Sequence, residues 1–187
     1  MFYLPTFQLG FLNAWLFIVP YLLVTYGLTF LVVDRKAALF ILPEYTDTEK
    51  RVMPISMSVL LLLIIYSIFL PLKLGTTWVY AGLVIYLLGM LFLLLATFDF
   101  SKTSINKPVT TGVFRYSRNP MYFGFFLIYV GTGIATTSWL VMVFALIIAT
   151  LQNYFMIPPE EWMCLKKFGE NYQAYMDKTS KWIGIPK

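Results

Sequence analysis

Five long apolar runs, parted by short polar stretches, dominate the chain: 10–33, 53–72, 76–98, 120–137 and 138–157. About 20 apolar residues in helical conformation cross the hydrocarbon core of a bilayer, so each run predicts a transmembrane helix. Pro20 inside the first run predicts a kink. Thr136-Thr137-Ser138 is all that separates the last two runs, which predicts a tight helical hairpin over 120–157. Pro158 and Pro159 then predict the end of the fifth helix, because neither can donate a backbone hydrogen bond. Beyond them, Trp162, Leu165 and Phe168 recur at helical spacing, Gly169 reads as a stop, and a second short helix follows through Tyr172 and Tyr175. The expected architecture is all-α and polytopic, with about five transmembrane helices and a C-terminal cytoplasmic helical segment. It is a single integral membrane domain: 1–98 supplies three helices, and 99–187 the hairpin and the tail 158–187.

Composition agrees with lipid as the main solvent. Hydrophobic residues make up 59% of the 187 and charged residues 12%, half the charge that a soluble domain normally carries. Mean hydropathy is +0.75. The net charge of +5 does not suggest a nucleic-acid partner, because the cations flank the apolar runs, where anionic headgroups meet them. Of the 14 Lys and Arg, four lie in 34–52, four in 99–119 and five after Ile157, leaving Lys73 alone on the other side. The positive-inside rule then places the N-terminus outside and the C-terminus in the cytoplasm. All nine acidic residues fall on that same side. The opening MFYLPTFQLG lacks Lys and Arg, so the first run reads as a retained helix rather than a signal peptide.

The chain has no histidine and one cysteine, Cys164. That excludes histidine bases, histidine-based metal sites, Ser-His and Cys-His nucleophile pairs, and an internal disulfide. Three constellations remain. Arg118-Asn119-Pro120-Met121-Tyr122 opens the fourth helix: Asn can cap, Pro suits the first helical position, and Arg118 can meet phosphate headgroups. The same arrangement, a helix N-terminus beside an arginine, also suits a carboxylate or phosphate ligand. Glu160-Glu161 follows the two prolines; the pair can answer a helix dipole or hold a cation such as an ammonium or sulfonium. Gly124, Gly131, Gly133 and Ala135 form a small-residue stripe suited to close helix packing or to admitting a ligand. Gly131-Thr132-Gly133 is not a dinucleotide fingerprint, since no strand precedes it.

Together these pieces resemble one family. The stretch VTTGVFRYSRNPMYFGFFLIYVG, a hydrophobic hairpin, and PPEEWMCLKKFGENYQAYMDKTSKWIGIP, all within 109–187, are similar to the catalytic half of the isoprenylcysteine carboxyl methyltransferase and phospholipid methyltransferase superfamily. The resemblance implies an integral membrane enzyme that uses S-adenosyl-L-methionine without a Rossmann domain. Carried over by position, it implies cofactor contacts from Arg118, Asn119, Pro120, Tyr122, Gly131, Gly133, Glu160, Glu161 and Tyr172, with Phe168, Gly169 and Tyr175 completing the closing motif. Glu160 and Arg118 are the implied catalytic residues; no metal is implied. Arg118 would take the cofactor carboxylate, and Glu160 or Glu161 its cationic end or a proton from an amine acceptor. Two departures stand out. Asn119 replaces the motif histidine and cannot take up a proton, and 153–157 lacks the arginine that would steer a substrate carboxylate. A lipid amine or a thiol needs no such arginine. The implied partners are a lipophilic or lipid substrate and membrane lipids. Two rivals stand beside this reading: an NADPH-dependent membrane reductase of the sterol-reductase type, and a non-enzymatic membrane scaffold or transporter component.

Overall fold

In the computed structural model, which describes residues 8–32, 45–104 and 106–186, helices follow one another with no strand among the described residues. They are α1 (Trp15–Leu28, prolonged by Thr29–Val32), α2 (Asp47–Ile68), α3 (Thr77–Lys102), α4 (Pro120–Ala135), α5 (Trp139–Phe168) and α6 (Glu170–Lys178). Arg35, Lys36 and Lys187, which entered the charge count, lie outside the described residues, as does the stretch 1–7.

Local sequence explains most helix ends. Thr46 and Glu49 close a reciprocal capping box on α2: the Thr46 N–H donates to the Glu49 carboxylate at 2.7 Å, and the Glu49 N–H to Thr46 Oγ1 at 3.4 Å. Pro120 opens α4 at a first-turn position where no donor is needed. Gly169, at φ 54°, parts α5 from α6 in a conformation that costs glycine little.

Three helices, α2, α3 and α5, are long and apolar enough to cross a bilayer, and their outer faces carry exposed Leu61, Leu62, Leu87, Leu91 and Leu146. The runs 10–33 and 120–137 give shorter apolar helices instead. With 16 residues α4 rises only about 24 Å, less than the ~30 Å of hydrocarbon. It starts at a proline and stops where Thr137 turns to φ 51°. Near α1, the Asn13 side chain donates to the Ile68 carbonyl at 2.7 Å and pins the chain to the end of α2, so helix begins only at Trp15.

The proline pair corrects one expectation. The fifth helix does not end at Pro158-Pro159 but runs on to Phe168. What permits this is a π-helical turn, Gln152–Met156, in which the Ile157 N–H reaches back to the Gln152 carbonyl. The wider turn relieves the clash that proline makes with the preceding turn of an α-helix. In that register the next carbonyls, on Asn153 and Tyr154, face Pro158 and Pro159, which have no N–H to give.

α3 and α4 meet backbone to backbone. A Cβ on Gly89 would lie 2.8 Å from the Gly124 carbonyl oxygen, and one on Gly131 would lie 2.5 Å from the Tyr86 nitrogen. Small residues at such crossings are how membrane helices gain packing contact without a hydrophobic drive. α1 is tied to this pair by tyrosines: Tyr86 donates to the Phe17 carbonyl at 2.6 Å, and the Tyr21 and Tyr129 hydroxyls share a hydrogen bond of 2.7 Å. The bundle therefore holds α3 and α4 rigidly and presents the polar ends of α3, α4 and α5 together.

Candidate active site

At that polar end the loop after α3 folds back over the helix. Asp99 accepts from the Val113 N–H at 3.0 Å, opening the short 3₁₀ turn Gly112–Arg115. Gly112 has φ 60° and lies so close to the Asp99 carboxylate that no Cβ fits. Phe114 is thereby turned inward, and the Tyr175 hydroxyl donates to its carbonyl at 2.7 Å, fastening α6 to the loop.

Arg118 sits at the junction and is heavily engaged. Its Nε donates to Glu161 Oε1 at 2.9 Å, and its Nη1 to the carbonyls of Met176 at 3.0 Å and Thr179 at 3.3 Å. Each side chain of the Arg118–Glu161 pair is 13% exposed. Asn119 does not cap α4, contrary to the simplest reading of its position. Its Nδ2 instead donates to Glu161 Oε1 at 3.0 Å and to the Lys181 carbonyl at 3.2 Å. One turn into α4, the Tyr122 hydroxyl donates to Glu160 Oε1 at 2.7 Å. The two adjacent carboxylates thus have different partners: Glu161 is matched by a cation and an amide, Glu160 by a phenol.

Glu160 belongs to the polar last turns of α5, with Glu161, Lys166 and Lys167, beyond the apolar part of that helix. Burial pushes its pKa up to about 7; the Tyr122 hydrogen bond opposes the rise and the charge of Glu161 adds to it. Near neutral pH its acid and carboxylate forms therefore coexist. Burial also pushes the Cys164 thiol up to about 11, which leaves it protonated and poorly nucleophilic.

These side chains enclose a cavity of about 360 Å³, within the range of small-molecule sites. Arg118, Asn119, Pro120, Tyr122, Glu160, Glu161 and Tyr172, all singled out from the sequence, line it. Gly131 and Gly133 do not. Gly131 packs on the backbone of α3, and a Cβ on Gly133 would lie 2.7 Å from Met142 Sδ, so both serve helix contacts more than two turns into α4. Lys107 and Phe114 also line the cavity, brought there by the loop fold, which no local pattern encodes, and Cys164 joins them from the last turns of α5. Asn153 lies outside the cavity and bonds Lys181 and Trp182, and the polar Gln152-Asn153 step inside an apolar run is its signal in the sequence.

Residues 61–171 match the phospholipid methyltransferase family, which is over half of the chain. The chain belongs to the phospholipid methyltransferase family. No curated protein matches it. Membership assigns it to the membrane methyltransferases, in agreement with three helices able to span a bilayer. The matched span runs from the middle of α2 into α6 and contains the whole Arg118–Tyr122 segment and the acidic pair; the tail beyond α6 lies outside it.

Proposed function

We propose that this phospholipid methyltransferase family member transfers a methyl group from S-adenosyl-L-methionine to a nucleophile on a lipophilic or membrane-associated acceptor. The acceptor classes are a lipid amine, a thiol or a carboxylate. The observation that carries the reading is Glu160: an acidic side chain held by Tyr122 on the wall of an otherwise largely apolar and aromatic cavity, where a cationic ligand gains most from a carboxylate. The donor set fits the cofactor. Phe114, Phe168 and Tyr172 give the wall aromatic surface that suits a heterocycle, and Glu160 offers charge to a sulfonium or ammonium. When bound, the cofactor supplies an electrophilic methyl group whose departure leaves a neutral thioether.

The protein's own residues then have little bond chemistry to perform, and their work is alignment and exclusion of water. Glu160, when ionised, attracts the cationic end of the cofactor; with an amine acceptor its Oε atoms can take the proton that the nitrogen sheds. Tyr122 orients that carboxylate. Arg118 positions Glu161 through Nε and the end of α6 through Nη1, and its Nη2, used in none of these bonds, would take the cofactor carboxylate. Asn119 adds a second bond to the same oxygen of Glu161. The acceptor enters laterally with its apolar part left in the bilayer. Five crossings, with the N-terminus outside and the C-terminus cytoplasmic, would set the cavity on the face that a cytosolic cofactor reaches; the asymmetry of Lys and Arg supports this topology.

Calorimetry on purified protein tests the proposal. S-adenosylhomocysteine and sinefungin, which carries an amine in place of the sulfonium, should both bind. Wild type that binds neither sinks the reading. The family match favours this reading over the reductase, which predicts NADPH binding in the same assay.

A further inference from the structure

The tail beyond α6 lies outside the family match, yet it makes a dense set of polar contacts with the site. Ser180 accepts from the Arg118 N–H at 2.9 Å, and the Gly184 N–H donates to the Tyr116 carbonyl at 2.8 Å. Between these, the Lys181 carbonyl takes the Asn119 amide. The side chains of the same stretch turn the other way, toward the π turn of α5. Lys181 Nζ donates to the Asn153 carbonyl at 3.0 Å, and Trp182 Nε1 to Asn153 Oδ1 at 3.2 Å.

Asn153 is where a partner is needed. The π turn spends the Ile157 N–H on Gln152, and the next residue in register is a proline. The Asn153 carbonyl is therefore without a helical donor, and at this half-buried position an unpaired carbonyl costs part of a hydrogen bond. The Lys181 ammonium fills that vacancy. The same turn sets the heading of everything after it, and Glu160 and Glu161 follow within two turns.

We propose that residues 179–184 form a positioning strap for the acidic pair, with Lys181 and Trp182 closing the proline-opened turn of α5 so that Glu160 meets Tyr122 and Glu161 meets Arg118. Lys181 and Trp182 are positioning residues: neither lines the cavity, and both act through Asn153. The proposal rests on the methyltransferase reading for its catalytic meaning but not for its geometry.

The test uses full-length protein in micelles and two readouts. The first needs no cofactor: the alkylation rate of Cys164, the single cysteine of the chain, which lines the cavity beside the acidic pair. Lys181→Met should raise that rate about tenfold by letting the turn open. Lys181→Arg, which keeps a donor on a long stem, should label like wild type, and Trp182→Phe should fall between. The second readout is the acidic limb of sinefungin binding. That limb belongs to Glu160, faced by Tyr122 from α4, Tyr45 ahead of α2, and Glu161 and Cys164 on its own helix, with Arg118 behind Glu161. Opening the turn admits water to Glu160, which lowers the limb, and loosens the Tyr122 bond, which raises it. Burial is the larger cause, so the limb should move lower by about half a pH unit in Lys181→Met and stay in place in Lys181→Arg. Wild-type labelling in Lys181→Met overturns the proposal. Faster labelling with an unmoved limb overturns it too, since the strap would then be a closure with no hold on Glu160. If wild type binds no sinefungin, the methyltransferase reading falls, and labelling alone, with its arginine rescue, decides the strap.

Discussion

Glu160→Gln should stabilise the protein at neutral and alkaline pH while removing its methyl transfer. Glutamine keeps the carbonyl oxygen that accepts from Tyr122 and removes the charge whose burial is unfavourable. Glu160 titrates near 7 in the folded chain, against an ordinary value of 4.5. Between these two values the folded state holds a proton that the unfolded state has lost. Stability from this group is therefore complete below about pH 4.5 and lost as pH rises to about 7. A shift of one unit corresponds to about 1.4 kcal/mol, so the upper bound is about 3.5 kcal/mol. The carboxyl borders a cavity that water can enter, and screening there reduces the figure to about 1–2 kcal/mol. For a chain of this size that is roughly 2–8 °C in unfolding temperature. The assay is thermal unfolding of both proteins in the same detergent from pH 4 to pH 8. The amide contributes a constant offset, so the slope of the difference carries the result: Glu160→Gln should gain on wild type from about pH 4.5 to 7 and then run parallel. A difference that is flat with pH, or a wild type that gains as pH rises, would refute the burial argument.

Tyr122→Phe removes a hydrogen bond that favours the Glu160 carboxylate, so the acidic limb of sinefungin binding should move up by about half a unit to one unit; a downward move contradicts the assignment. Arg118→Met leaves Glu161 poorly matched and two carbonyls unpaired, and should lower stability by about 2–3 kcal/mol in denaturant unfolding, with loss of cofactor binding following loss of structure. Gly131→Val should break the contact between α3 and α4 and give aggregated protein, whereas Gly133→Ala, facing a flexible methionine, should fold and bind S-adenosylhomocysteine within about threefold of wild type. Selective loss of cofactor binding in a well-folded Gly133→Ala would return that residue to the site.

Much of this was legible in the chain itself. Apolar runs place the helices because lipid offers backbone groups no partner, so a long apolar segment has few conformations open to it. Pro120 and Gly169 mark helix boundaries through backbone geometry that neighbours barely modify. Arg118, Tyr122 and the acidic pair were legible as a set because charges cluster where the runs end. Other features were decided between elements. Pro158-Pro159 reads as a stop until a π turn and Lys181, 28 residues beyond the Asn153 carbonyl it meets, make the continuation tolerable. Asn119 reads as a cap until Glu161 and Lys181 claim its amide. Gly131-Thr132-Gly133 reads first as a packing stripe that could also admit a ligand, and in the fold Gly131 lies against the backbone of α3.

The sequence by itself determined the solvent of this protein, its helical class and the residue types that can do its chemistry, since these follow from hydropathy and side-chain identity. Only the tertiary structure decided which acid stays matched by a cation and which is left to titrate. Glu160 and Glu161 are neighbours of identical chemistry, and the difference between them comes from partners on α4 and on the loop before it. Their hydrogen bonds span 38 and 43 residues. Contacts at such separations depend on how the helices pack, and no local pattern records them.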